Sequence, residues 1–370
     1  MTDVINQGQA RPAAIATPTA PPPPGALSPA VVEQILFEMK RLIVGQDIVL
    51  ERLLVALLSR GHVLLEGVPG LAKTATVKSL AQVIGGTFGR VQFTPDLVPA
   101  DLVGTRIFNG KTGEFNTELG PVFVNLLLAD EINRAPAKVQ SALLEVMQER
   151  QVTIGKQTYQ VPDPFLVMAT QNPIESDGTY PLPEAQLDRF MFKVLVDYPS
   201  YEDEIVVVDR ITGPAINLRT LITPAQLLGL QRIVDRIYVD PHVTAYAATL
   251  VNATRKLRES GLEGWAPAVA FGASPRASIN LITAARALAF IRQRSYVLPY
   301  DVADLAPDVM RHRIVLTYDG IANGVTRQHR DRRLAALPAP AHRPGGQACG
   351  VGSDSGRLAA RRPTPPLTST

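Results

Sequence analysis

Gly67-Val68-Pro69-Gly70-Leu71-Ala72-Lys73-Thr74 follows the apolar run Val63-Leu64-Leu65 and precedes a helical pattern over 75–83. A strand, a glycine-containing loop and a helix opening on Lys-Thr form the setting in which backbone can wrap a phosphate. The N–H groups of such a loop point inward, and the helix N-terminus adds the positive end of its dipole. Lys73 is then placed to reach β- and γ-phosphates, and the Thr74 hydroxyl to ligate Mg²⁺. One residue departs from the G-x-x-x-x-G-K-[ST] pattern. Ala72 occupies the place of the second glycine, and alanine enters positive φ less readily than glycine. Read alone, the stretch also fits a glycine-rich turn with a surface lysine, so the decision falls to the residues downstream.

The apolar run at 121–128 ends in Ala129-Asp130-Glu131. A continuous apolar strand fits a parallel sheet buried on both faces, and open α/β sheets bind ligands at the C-terminal ends of such strands. Asp130 suits Mg²⁺, held through water, and Glu131 suits a general base acting on an attacking water. A second buried strand, Phe165-Leu166-Val167-Met168-Ala169, ends in Thr170-Gln171-Asn172-Pro173. Asn172 can orient the water or a γ-phosphate there, or simply form an Asn-Pro turn. Glu184-Ala185-Gln186-Leu187-Asp188-Arg189-Phe190 leads into a last strand, Phe192–Val196. Arg189 either pairs locally with Asp188 or Glu184 or reaches a γ-phosphate on a neighbouring subunit.

Short runs around Gly110-Lys111-Thr112-Gly113 and around Gly155-Lys156 read as two hairpins, near 106–115 and 151–160. The first has few residues to bury it and is expected to project. From Tyr201 the pattern turns wholly helical, over 201–212, 223–236, 241–257, 274–294 and 299–316. Ser274 is the expected cap of the fourth helix, with Pro275 at its first position. Arg276 then lies in a first turn, where the helix dipole disfavours a cation, so an anionic partner is expected for it.

Charge and composition narrow the partners. The sequence pI is near 9.0, yet the basicity is terminal. Residues 325–370 hold eight Arg against two acids, net +6, while the whole chain is +3, which leaves residues 1–324 at −3. A surface that tracks nucleic-acid phosphates needs a basic patch on the folded body, so no nucleic-acid partner is expected. No apolar run approaches the ~18 residues of a membrane span. Met1 to Pro24 lacks a basic segment followed by an apolar one, so no secretory signal is expected. Cys349 is the single cysteine, which excludes an intrachain disulfide framework and leaves a reducing cytoplasm as the expected compartment. Expected domain limits are a Pro/Ala-rich disordered leader over 1–28, an α/β core with a parallel sheet over 29–198, a helical domain over 199–324 and an Arg/Pro/Gly-rich disordered tail over 325–370.

Taken together, the phosphate loop, Leu128-Ala129-Asp130-Glu131-Ile132-Asn133-Arg134-Ala135, Ala169-Thr170-Gln171-Asn172-Pro173, the Glu184–Phe190 stretch, Gly272-Ala273-Ser274-Pro275-Arg276 and Arg311-His312-Arg313 resemble the MoxR family of AAA+ ATPases in identity and in order. The resemblance spans about residues 30–324. It implies a P-loop αβα core of the helix-2-insert type with an all-α lid, binding ATP and Mg²⁺ and hydrolysing ATP. Gly67, Val68, Pro69, Gly70, Leu71, Ala72, Lys73 and Thr74 would form Walker A, Ala72 being this family's form of the loop. Asp130 and Glu131 would form Walker B, with Thr74 and Asp130 at the metal. Asn172 would be sensor 1, Arg189 a finger acting on the neighbouring subunit, and Arg276 the sensor 2 of the lid. Val44, Gly45 and Gln46 would lie by the adenine. The two hairpins would face the pore of a ring, as a hexamer. The implied work is chaperone-like remodelling or maturation of a protein client, with a von Willebrand factor A domain protein as the partner. A DNA-dependent or chelatase-type motor of the same clade, and a nucleotide-switched scaffold with little turnover, are the rival readings. Beyond Gly324 the sequence leaves the family pattern and turns to Arg327-Gln328-His329-Arg330-Asp331-Arg332-Arg333.

Overall fold

The structure is a computed structural model, and it describes residues 27–68, 71–111, 113–173 and 179–322. Residues 1–26 of the expected leader and the whole tail lie outside the described residues, as do Pro69, Gly70 and Thr112.

Two helices come first, α1 (Pro29–Lys40), with proline at its opening position, and α2 (Asp47–Leu58). Then follow β1 (Val63–Gly67), α3 (Lys73–Val83), β2 (Phe88–Gln92) and the short α4 (Pro99–Val103). A hairpin of β3 (Gly104–Asn109) and β4 (Glu114–Leu119) precedes β5 (Leu126–Asp130) and α5 (Ala137–Glu149). A second hairpin, β6 (Gln151–Ile154) and β7 (Gln157–Gln160), is followed by β8 (Leu166–Gln171), α6 (Glu184–Leu187) and β9 (Phe192–Val196).

Five of these strands form one parallel sheet in the order β2-β5-β8-β1-β9. Their apolar runs are continuous because both faces are covered. Successive side chains alternate between faces. Val63, Leu65, Leu126, Leu128, Leu166 and Met168 enter one buried cluster, and Leu64, Leu127, Ala129, Val167 and Ala169 enter the other. The second cluster is covered by α5 through Val139, Leu143, Val146 and Met147. The expected strand at 121–128 starts later, at Leu126. Asn125 ends the preceding turn: its Oδ1 accepts from the Thr87 N–H at 3.0 Å and its Nδ2 donates to the Pro164 carbonyl at 2.9 Å. Side-chain bonds of this kind compete with a ladder and delay it.

The helical region contains α7 (Tyr201–Thr212), α8 (Pro224–Asp235), α9 (Pro241–Ala253), β10 (Val269–Phe271), α10 (Pro275–Ile291), α11 (Pro299–Met310), β11 (Val315–Leu316) and α12 (Tyr318–Ala322). Thr223 and Asp240 cap α8 and α9 through their side-chain oxygens. The reading of this region as helical only is corrected by the antiparallel pair β10–β11, whose strands of three and two residues are too short to show a period of two. The expected helix at 299–316 stops at Met310. Beyond it, Arg311, His312 and Arg313 turn to bond main-chain carbonyls of Lys193, Phe190 and Asp188. Leu227, Leu230, Leu250, Leu281, Leu288 and Leu305 of these helices belong to the same buried cluster as one face of the sheet. The lid helices and that face therefore share one apolar core.

The first hairpin projects as expected, with Ile107, Phe108 and Phe115 exposed and the two phenyl rings 5.1 Å apart. The second sits beside it. A Cβ on Gly155, in its turn at φ +66°, would lie 2.7 Å from Cδ of Arg106 in β3. Among the described residues no helix is long and apolar enough to cross a membrane.

Candidate nucleotide-binding site

The C-terminal ends of β1, β2, β5 and β8 converge on a cavity of about 470 Å³, lined by Gly67, Lys73, Thr74, Asp130, Glu131 and Asn172 among others. Gly67 ends β1, and a Cβ there would lie 2.5 Å from the carbonyl of Val196 in the adjacent strand, so only glycine fits. Ala72 has φ 53° and ψ 19°, a left-handed conformation immediately before α3. The sequence objection to alanine at this place is thus physically real: the residue takes the backbone geometry that glycine would take without cost.

Lys73 opens α3, and its Nζ donates to the Gly67 carbonyl at 2.6 Å, bridging the loop. Burial draws its pKa down, while Asp130 and Glu131 pull it up. Asp130, last residue of β5, accepts from the Thr170 hydroxyl at 2.6 Å and pairs with Arg90 at 2.8 Å. Glu131 follows at φ 56°. Its N–H donates to the same Thr170 oxygen at 2.8 Å. Its carboxylate takes a bond from Gln92 Nε2 at 2.9 Å and pairs with Arg134 at 3.2 Å. Asn172 is buried, one residue past β8. Leu71 is buried in the loop, and Val68 packs against the core beside it.

Thr170, Arg90 and Gln92 are contributors that sequence reasoning missed. Each acts across the sheet. Parallel register sets Gln92 beside Asp130 and Ala129 beside Ala169, and no local pattern announces such a pairing.

Val44, Gly45 and Gln46 are outside the lining of this cavity. Gln46 is nevertheless tied to the loop, its Nε2 donating to the Leu71 carbonyl at 2.7 Å. Gly45 sits at φ +69°, where a Cβ would meet the Asp203 carboxylate of α7 at 3.0 Å.

Arg189 and Arg276 do not join Lys73 and Glu131. Both line a second cavity of about 440 Å³, together with Arg60, Arg150 and His62. The two cavities have no lining residue in common. Arg189 makes neither of the local ion pairs considered from sequence; its NH1 donates to the Leu144 carbonyl at 2.9 Å. Arg276 has an anionic partner, Asp188, at 3.4 Å. His62 is fully buried, accepts at Nδ1 from the Val167 N–H at 3.0 Å and lies 3.1 Å from the Met147 carbonyl at Nε2. Burial, reinforced by Arg150, lowers its pKa to about 3, so at neutral pH this wall is charged by arginine alone.

A family model described as "ATPase family associated with various cellular activities (AAA)" matches residues 62–192, and one described as "AAA lid domain" matches residues 265–343. The chain is 54% identical over 331 residues to Chaperone MoxR1 of Mycobacterium tuberculosis, covering 87% of this chain and 88% of that one. It belongs to the MoxR family of AAA+ ATPases. It is also 34% identical to Protein MoxR of Paracoccus denitrificans, over 81% of this chain and 93% of the relative. A crystal structure of a candidate ATPase from Cytophaga hutchinsonii is 45% identical, superposes with a TM-score of 0.79, and is matched over 84% of this chain and 94% of its own. The parallel sheet with helical lid is therefore the AAA+ architecture. The lid match runs to residue 343, past the limit expected at Gly324 and into residues outside those described.

Proposed function

We propose that this chain hydrolyses ATP, with Mg²⁺, in a hexameric ring whose catalytic sites are each completed by a second chain. One observation carries the reading. Lysine, threonine, two carboxylates and a buried asparagine meet in one cavity, while the arginines suited to a transferred phosphoryl group line another. A single chain holds the parts of a hydrolytic site on two separate surfaces, and a cyclic assembly brings one surface of each chain to the other surface of the next.

In the first cavity, backbone N–H groups of the loop and of α3 would cradle the phosphates. Lys73 rests on a neutral carbonyl, and an anionic phosphate oxygen is the stronger acceptor for its ammonium. The Thr74 hydroxyl and the Asp130 carboxylate are hard oxygen donors that fit Mg²⁺. Among the described residues no group of three or more His, Cys, Asp or Glu is arranged to hold a metal. This fits an ion that relies on one or two side chains plus phosphates and water. When bound, the ion supplies charge neutralisation at the phosphate oxygens. Glu131 takes a proton from the attacking water, and Asn172 orients that water or the γ-phosphate. Arg189 of the adjacent chain stabilises the charge that develops on the transferred group. Because Arg276 shares a cavity with Arg189, we assign it to the same neighbour and not to the site of its own chain.

The output is chaperone-like remodelling of a protein client, with a von Willebrand factor A domain protein as partner. The name of the Mycobacterium relative supports the chaperone class, and the two adjacent hairpins, one tipped with exposed Phe108 and Phe115, supply a surface for an apolar segment. The net −3 of residues 1–324 disfavours a DNA motor. The test is ATP binding and hydrolysis by Glu131→Gln and Lys73→Ala. Glu131→Gln is expected to keep ATP affinity while turnover falls about 10²–10⁴-fold, and Lys73→Ala to lose affinity. Undiminished turnover in Glu131→Gln would remove the assignment.

A further inference from the structure

Asp188 is the residue immediately before Arg189, between α6 and β9. The lid holds it from three directions. Arg313 donates through Nε to its Oδ1 at 2.7 Å and through NH2 to its main-chain carbonyl at 3.0 Å. The Ser274 hydroxyl lies 3.1 Å from each carboxylate oxygen. Arg276 NH1 lies 3.4 Å from Oδ2.

Two of these contacts run against what the isolated elements would do. Ser274 stands at the N-terminus of α10, but its side chain caps nothing there. Its hydroxyl is spent on Asp188 instead of on the helix's own N–H groups. Asp188 in turn places a negative charge at the start of α10 and beside Arg276, which relieves a cation in an unfavourable first turn. Arg313 is 1% exposed, and Asp188 is the carboxylate paired with it. Its remaining donors go to the carbonyls of Phe190 at 2.6 Å, Met191 at 3.3 Å, and Val309. The main chain on both sides of Arg189 is thus fixed to one buried guanidinium of the lid, with all its donors used. Among the described residues the Arg189 side chain has a single hydrogen bond, to a main-chain carbonyl, so its direction follows that backbone.

We propose that Asp188 is a positioning residue through which the lid sets Arg189 and Arg276 together, aimed as one pair at the nucleotide of the adjacent chain. The proposal rests on the shared-site reading above. A shift of the lid that carries Ser274, Arg276 and Arg313 carries Asp188 and hence Arg189 with it. The alternative is that Asp188 merely neutralises the buried Arg313.

Asp188→Asn in the full chain separates the two. Turnover is expected to fall roughly ten- to hundredfold, the scale of a misplaced catalytic group, with ATP affinity unchanged because Asp188 is outside the first cavity. Asp188→Glu recovers part of the loss. The deciding readout is subunit mixing with Glu131→Gln, which keeps Asp188, Arg189 and Arg276 intact. The Asp188→Asn chain keeps its own Glu131, so the mixture regains hydrolysis if Asp188 acts through arginines given to a neighbour. Arg189→Ala mixed with the same Glu131→Gln chain is run alongside. Recovery with Arg189→Ala but not with Asp188→Asn overturns the positioning role and leaves the shared site standing, whereas recovery with neither overturns both. If Asp188→Asn fails to fold, Ser274→Ala removes one contact and leaves the Arg313 pair. An unchanged turnover in that variant, or in a folded Asp188→Asn, overturns the proposal.

Discussion

The two cavities are of similar size, about 470 and 440 Å³, and of opposite character. The first mixes Lys73 and Arg90 with Asp130 and Glu131. Among the described residues the second is lined by four arginines and no carboxylate. The first is built by strand ends in register, so its groups are held by each other. Thr170 bonds Asp130 and Glu131, Gln92 bonds Glu131, and Arg90 pairs with Asp130. The second is built where α2, α5, the segment before β9 and the start of α10 meet. Of its four arginines, Arg150 and Arg189 rest on main-chain carbonyls, while Arg60 pairs with Asp235 at 3.0 Å and Arg276 with Asp188 at 3.4 Å. A guanidinium resting on a neutral carbonyl retains its appetite for an anion. On the proposed reading the first cavity is the receptor and the second the surface that Arg189 offers to a neighbouring chain. Backbone strain divides between them too. Of the five non-glycine residues at positive φ among those described, Ala72 and Glu131 line the first cavity, and Arg60 and Arg150 the second. Arg60 and Arg150 follow the ends of α2 and α5, where left-handed residues are common. Ala72 and Glu131 have no such excuse and mark the functional turn.

The sharpest way to break this comparison is to remove one arginine from the second cavity without touching the first. Arg189→Ala is expected to lower turnover about 10³-fold or more and to leave ATP affinity, measured by fluorescent-nucleotide titration, within a few fold. A loss of affinity on the same scale as the loss of turnover would mean that the two cavities are one site. Arg276→Ala is expected to behave in the same sense.

A smaller effect concerns the neutral histidines. His62, in the second cavity, has a folded-state pKa of about 3. His312, buried beside Arg313, Lys193 and Arg311, is likewise held well below 6.5, first by burial. Among the described residues its Nδ1 has no hydrogen-bond partner. In the unfolded chain both take up a proton near pH 6.5. The unfolded state therefore binds more protons below that pH, and stability present above it is lost as pH falls toward the folded values, at up to about 1.4 kcal/mol per pH unit for each histidine. Denaturant unfolding at pH 7 and pH 5 is expected to show a loss that begins near pH 6.5, above the carboxylate range. A flat profile down to pH 5 would contradict the neutral buried state.

The smallest effect is at Ala72. Glycine there removes the left-handed penalty but adds chain entropy to the unfolded state, so Ala72→Gly is expected to stabilise by about 1 kcal/mol or less. ATP affinity should move little. A large loss of affinity would show that the alanine methyl shapes the first cavity.

The first cavity was largely legible in the sequence and the second was not. Eight consecutive residues present the proposed phosphate loop, and Asp130-Glu131 ends an apolar strand, so both are local patterns with local causes. Asn172 needed only the end of a strand to place it. Thr170, Arg90 and Gln92 depend on strand order and register, which the linear sequence does not carry. Arg276 was visible as an arginine in an unfavourable first turn, and Arg189 as one that either pairs locally or reaches a neighbour's phosphate. Their meeting depends on how the lid packs against the core, and so does the use of Ser274 on Asp188 in place of a cap. The β10–β11 pair went unseen because strands of two and three residues have no period to read.

The central claim is that the arginines of one chain complete the carboxylate cavity of another. An equimolar mixture of Arg189→Ala and Glu131→Gln chains, each nearly inactive alone, measures this most directly by its rate of ATP hydrolysis. A shared site predicts that the mixture regains a substantial part of the activity, because some interfaces then pair an intact Glu131 with an intact Arg189. A mixture as inactive as its two components, with mixed assembly confirmed, would contradict the account.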